Sequence, residues 1–220
     1  MTEVLFSKEF IVWLPRIFWS AACLWAAWLY LRRDKINLPR NIWYLIWLGL
    51  LFAAGYTLLL TFAQYDLWSR DQFTRAFLES PLPDETPMPE YLRRLPVFQG
   101  GSGYFVFYAF GRFWLRTLIG MFASFLLWLF LRSLRKYRGR FFEEGETELG
   151  FWAGLAAGWP GIIALVLMVF PGTVLISVSR RVFLKEELTT LGWPFIICGF
   201  LAFWFGKFII SALGLGVLFI

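Results

Sequence analysis

The chain has 220 residues, is 59% hydrophobic and 21% aromatic, and has a mean hydropathy of +0.63. That much apolar surface excludes a soluble globular domain, and long unbroken apolar runs, in place of short alternating ones, exclude an outer-membrane barrel in favour of helices. The net charge of +6 is not laid out as a nucleic-acid patch: 12 of the 21 Lys and Arg fall in three short stretches (Arg32, Arg33, Lys35, Arg40; Arg132, Arg135, Lys136, Arg138, Arg140; Arg180, Arg181, Lys185), the pattern of turns kept on the cytoplasmic side of a membrane.

Other compositional features narrow the chemistry. There is no histidine, so the commonest general base and the commonest metal ligand are both missing. No metal or cofactor site is expected, and axial ligation of haem or chlorophyll by imidazole is excluded within the chain. Cys23 and Cys198 both sit in apolar segments and read as small buried thiols. Met1-Thr2-Glu3-Val4 lacks the basic start of a signal peptide, so the first apolar segment is expected to be retained.

In chain order, the first segment runs from about Phe10 to Leu31, with Pro15 and Arg16 near its entry, and leads into the basic turn Arg32 to Arg40. A second covers about Ile42 to Gln64. The stretch Tyr65 to Ser102 holds five of the ten prolines and reads as an extended loop, with a short interfacial helix over Trp68 to Leu78. A third segment, about Tyr104 to Leu131, ends in the second basic run. From Leu149 to Ser179 there are 31 uncharged residues. The Gly158-Trp159-Pro160-Gly161 break divides them into a short fourth helix, to about Ala157, and a fifth from about Gly161. The charged stretch Arg180 to Thr190 precedes a sixth segment from Trp193. Six crossings put all three basic turns on one side, with both termini and loop 65–102 on the other. The expectation is an all-α polytopic bundle, one membrane domain over residues 1–220.

The strongest local signal joins the third and fourth segments. Glu143, Glu144, Glu146 and Glu148 stop where a helix with Gly150, Gly154 and Gly158 begins. Spacing of i, i+4, i+8 places these glycines on one face, where a neighbouring helix can approach backbone to backbone, as in a glycine zipper. The acids lie at the helix N-terminus, where negative charge is favoured. They read either as a solvated loop that caps the helix and offsets Arg135 to Arg140, as a catalytic or substrate-binding group, or as a cation or partner site. Arg112 and Arg116, one turn apart, read as side chains reaching the outer lipid headgroups or pairing with Asp66 or Asp71. Lys207, flanked by apolar sequence, must face protein, water or the outer interface. Most of the 13 tryptophans read as interfacial anchors in contact with membrane lipids. A pigment or quinone site is the alternative for a few.

These residues resemble the prepilin peptidases, the GxGD aspartyl proteases of type IV pilus and archaellum systems. Gly145-Glu146, followed by Gly154 and Gly158-Trp159-Pro160, is similar to that family's Gly-Asp opening of the fourth core helix. Pro194-Phe195 with Gly199 looks like its Pro-Phe-x-x-x-Gly, and Tyr30-Leu31-Arg32-Arg33-Asp34-Lys35-Ile36 looks like its Asp-Leu-Arg segment. The resemblance implies an integral protein of the prokaryotic inner membrane. The sequence departs from the family in three respects. The family's first catalytic aspartate falls on Tyr30 and its second on Glu146, and its cytoplasmic cysteine pairs are absent. A dyad needs two carboxyls that share a proton, which tyrosine cannot supply. The resemblance therefore implies a pseudoenzyme: a non-catalytic accessory or packing subunit, bound to other transmembrane helices in a larger membrane complex. The alternative is an active leader peptidase on pilin-like signal segments, with Asp34, one turn beyond Tyr30, paired with Glu146. Asp66 is set aside because the basic turns place it on the opposite face.

Overall fold

A computed structural model describes residues 8–83, 85–86, 88–137, 142–184 and 191–219; Arg138, Arg140 and Lys185 of the basic stretches lie outside them. Among the described residues there are helices and turns but no strand. Helix α1 spans Lys8–Leu31 and a 3-10 turn follows at Arg33–Lys35. Helix α2 spans Leu38–Arg70. It starts where it does because the Asn37 side chain accepts the Arg40 N–H at 3.1 Å and Pro39 occupies the first turn, where it lacks no hydrogen bond. Four short helices follow: α3 (Gln72–Leu78), α4 (Glu90–Arg93), α5 (Pro96–Gln99) and α6 (Gly103–Ala109). The stretch expected to be an extended loop is therefore partly helical, and the helix expected over Trp68 to Leu78 is broken at Asp71, whose carboxylate caps α3 by accepting the Phe73 N–H. A π-helical turn at Phe110–Trp114 connects α6 to α7 (Leu115–Tyr137). The last three helices are α8 (Glu146–Ala157), α9 (Gly161–Leu184) and α10 (Gly192–Ala212).

Among the described residues, five helical stretches are long and apolar enough to cross a membrane: Glu9–Leu31, Leu38–Arg70, Gly103–Tyr137, Gly161–Ser179 and Gly192–Ala212. The fourth of the six expected crossings is not among them. Helix α8 has 12 residues, about 18 Å of rise against roughly 30 Å of hydrocarbon. Glycines set both of its ends: Gly145 at φ 88° before the first turn and Gly158 at φ 60° after the last. Both angles lie in the left-handed region, which glycine adopts without a Cβ penalty.

Although short, α8 is the centre of the bundle. Leu149, Trp152 and Ala153 are fully buried, as are most of their helix neighbours, against α2, α7, α9 and α10. Between apolar helices in lipid the attraction comes from close packing, so small residues at the contacts decide the geometry. A Cβ on Gly150 would overlap Leu131 of α7 and meet Phe195 of α10 at 3.2 Å; one on Gly154 would meet Ser124 of α7 at 3.0 Å. Gly199 of α10 lies against Ala153, whose methyl would be 3.0 Å from a Cβ on that glycine, and Gly206 lies against the backbone of Gly161. Gly158 behaves differently. Nothing lies within 4 Å of where its Cβ would be; it ends the helix, and its backbone lies beside Gly120 of α7, where a Cβ would meet the Gly158 Cα at 3.7 Å.

Candidate functional site: a buried glutamate joining three helix ends

Glu146, the first residue of α8, is 0% exposed. Its position follows from the turn before it: left-handed Gly145 packs on Leu38 and swings the chain inward, and the carboxylate folds back so that Oε2 accepts the Glu143 backbone N–H at 3.0 Å. Oε1 accepts two further bonds, from the Tyr30 hydroxyl at the end of α1 at 3.0 Å and from the backbone N–H of Gly192, the first residue of α10, at 2.7 Å. Three donors and no acceptor address it, the arrangement that suits a carboxylate, which can only accept.

A second layer holds the tyrosine. Arg33 Nη1 donates to the Tyr30 oxygen at 2.7 Å, and the guanidinium lies 5.0 Å from the centre of the Tyr30 ring. Arg33 also pairs with Glu143 and, at 3.8 Å, with Asp34. Burial pulls the Arg33 guanidinium down, but the Tyr30 oxygen and the Glu143 carboxylate outweigh it and leave it above its ordinary range. It therefore stays a cation at every pH the protein meets. Trp193 packs edge-on against Tyr30 at 5.6 Å between ring centres, and Gly192 leaves room for that ring, since a Cβ there would overlap it.

The predicted residues separate clearly. Tyr30 and Glu146 meet directly, whereas Asp34 and Glu146 form no hydrogen bond: α1 ends at Leu31 before reaching Asp34, whose side chain is 89% exposed. Glu144 faces solvent, and Glu148 accepts the Thr147 hydroxyl at 2.8 Å beside Arg132, Arg135 and Lys136. The four acids are thus no single cluster. Only Glu146 is engulfed. Arg112 and Arg116 do not pair with Asp66 or Asp71. Asp66 binds Arg70 at 2.6 Å, Asp71 caps α3, and Arg116 Nε donates to the Trp159 carbonyl at 3.0 Å. Lys207 shares a cavity with both arginines. Cys23 and Cys198 are free and buried, as expected. Among the described residues no group of His, Cys, Asp and Glu is arranged to hold a metal ion.

Compared with protein-family models, curated proteins and solved structures, the chain matches none. What the site does must therefore be argued from its own geometry. Sequence reasoning missed Gly192 and Arg33, and their only local signals were a glycine closing a charged loop and an arginine one turn after Tyr30.

Proposed function

We propose that the chain is a prepilin-peptidase-like membrane scaffold whose acid pair has been replaced, and that it serves as a non-catalytic accessory or packing subunit of a larger membrane assembly. The observation that carries this reading is the environment of Glu146. A general base must reach a water or substrate proton, yet both oxygens of this carboxylate are occupied by donors from its own fold and the residue has no exposed surface. The residue at the position of the first family aspartate, Tyr30, contributes a donor where a dyad needs an acid.

On this reading the protein lies in a prokaryotic inner membrane with its arginine-rich turns in the cytoplasm and loop 65–102 and both termini outside. Helix α8 with its following turn then makes up a fourth, thinned crossing of six. The partner surface is offered by the exposed aromatic and aliphatic side chains of the spans, among them Trp47, Phe122, Phe170 and Phe208.

The test is co-expression with a pilin-like precursor, with the membrane complex isolated in parallel. The expected result is an uncleaved leader with both wild type and Glu146→Gln, and stoichiometric co-purification with other membrane subunits. Leader cleavage by the wild type that Glu146→Gln or Asp34→Asn abolishes would replace this reading with the active peptidase.

A further inference from the structure

The far half of the bundle contains a site that the glutamate joint does not use. Because α8 stops short, the turn at Gly158–Gly161 leaves a cavity of about 700 Å³ between α1, α2, α7 and α10, within the size range of small-ligand sites. Three cations line it: Arg112 on the π-helical turn, Arg116 on α7 and Lys207 on α10. None of the described residues lining it is acidic. Tyr56, Thr57 and Thr117 also line it, their hydroxyls bonded to the Ile11, Ala53 and Phe113 carbonyls and, between the two threonines, to each other, and Trp19, Phe52 and Met121 supply an apolar wall.

Its depth follows from the helix rise. Arg116 lies sixteen residues before Arg132, about 24 Å along α7, and Lys207 lies fifteen after Gly192, about 22 Å along α10. Both backbones therefore lie in the far half of a bilayer roughly 30 Å thick in its apolar core, within side-chain reach of the far headgroups. Cations that only reach for headgroups do so singly and outward. Here side chains from two helices share one concavity, and Arg116, although exposed, is held across it, its Nε donating to the Trp159 carbonyl at 3.0 Å. Trp159 is itself held, its indole N–H donating to the Leu218 carbonyl at 3.1 Å. The π-helical turn contributes as well: such turns re-aim side chains and recur at functional sites.

We infer that this cavity binds a phosphoryl anion carried on an apolar tail, the headgroup phosphate of an anionic lipid meeting Arg112, Arg116 and Lys207 while its chains lie along the Trp19–Phe52 wall. Guanidinium groups match phosphate oxygens in charge and in geometry. The lipid headgroup and free phosphate share this chemistry, so the experiment separates them. Protein in an uncharged detergent is titrated calorimetrically with dihexanoyl phosphatidic acid, dihexanoylglycerol or inorganic phosphate.

The phosphatidic acid is expected to bind at least about tenfold more tightly than dihexanoylglycerol, and the triple variant Arg112→Gln/Arg116→Gln/Lys207→Gln to lose roughly tenfold or more, while Arg132→Gln/Lys136→Gln changes it by less than about twofold. Inorganic phosphate binding as tightly as the lipid would support the phosphoryl site with a soluble source. Should the triple variant fail to fold, Lys207→Gln alone is expected to weaken the phosphatidic acid severalfold. Equal binding of dihexanoylglycerol and phosphatidic acid by the wild type, or unchanged binding by a folded triple variant, would overturn the inference.

Discussion

A buried carboxylate in an apolar bundle is costly unless its oxygens are satisfied, and Glu146 has donors on both. Removing it leaves the Gly192 and Glu143 N–H groups and the Tyr30 hydroxyl facing a void. Each buried unmet donor costs on the order of 1–3 kcal/mol, so Glu146→Ala is expected to lower stability by about 3 kcal/mol or more, read from denaturant unfolding in mixed micelles. Gly192→Ala tests the same joint from another side. Its methyl would enter the Tyr30 ring, which cannot retreat past Trp193, and overpacking of this kind costs about 1–3 kcal/mol. At this scale the sequence was half informative. Tyr30 and Glu146 stood out because short motifs flank them. Gly192 did not, because a hydrogen bond that bridges 46 residues leaves no local periodicity to read, and Arg33 did not, because one turn after Tyr30 it is one of several basic residues in the same turn.

At the scale of elements, the short α8 with its glycine at each end determines how closely the other helices pack. Its start, its end near Ala157 and the break after it were legible from Gly145, Pro160 and the acidic run. The face on which its glycines act was only partly legible. Helical spacing puts Gly158 in line with Gly150 and Gly154, but a glycine two residues before a proline ends a helix more readily than it continues one, and at φ 60° it has left the helix. The three positions should accordingly respond differently. Gly154→Leu is expected to separate α8 from α7, because Ser124 and Ile162 leave no space, and to reduce the yield of folded protein in size-exclusion chromatography. Gly158→Ala is expected to cost about 1–3 kcal/mol through backbone strain alone. By contrast, Gly55 has open space around it inside α2, and Gly55→Ala is expected to be neutral or to stabilise by up to about 1 kcal/mol. Membrane spans were legible as apolar runs, whereas the helices within 65–102 were not, since runs of four to seven residues held by caps and tertiary contacts carry little pattern of their own.

At the scale of the whole molecule, Tyr30 of α1, Glu146 of α8 and Gly192 of α10 meet at one end, with Arg33 beside them and the basic end of α7 near Thr147 and Glu148. The charge pattern anticipated this grouping, because arginine-rich turns segregate to one side of a bilayer. The shortness of α8 was legible from the Gly158–Gly161 break, but the far cavity that it opens was not anticipated, because it depends on how the neighbouring helices pack around that turn. Since both native cysteines are buried, single cysteines can report sidedness. Asp34→Cys and Glu144→Cys are expected to react with an impermeant maleimide from the cytoplasmic side and Glu79→Cys from the other; Asp34→Cys and Glu79→Cys reacting from the same side would contradict that arrangement.

The central claim, that Glu146 acts as a joint between helix ends, is tested most directly by a double-mutant cycle on Tyr30→Phe and Glu146→Gln, read as unfolding free energy. If the two groups hold the same joint, the double variant should depart from the sum of the singles by about 1 kcal/mol or more. Additivity to within about 0.5 kcal/mol would contradict it.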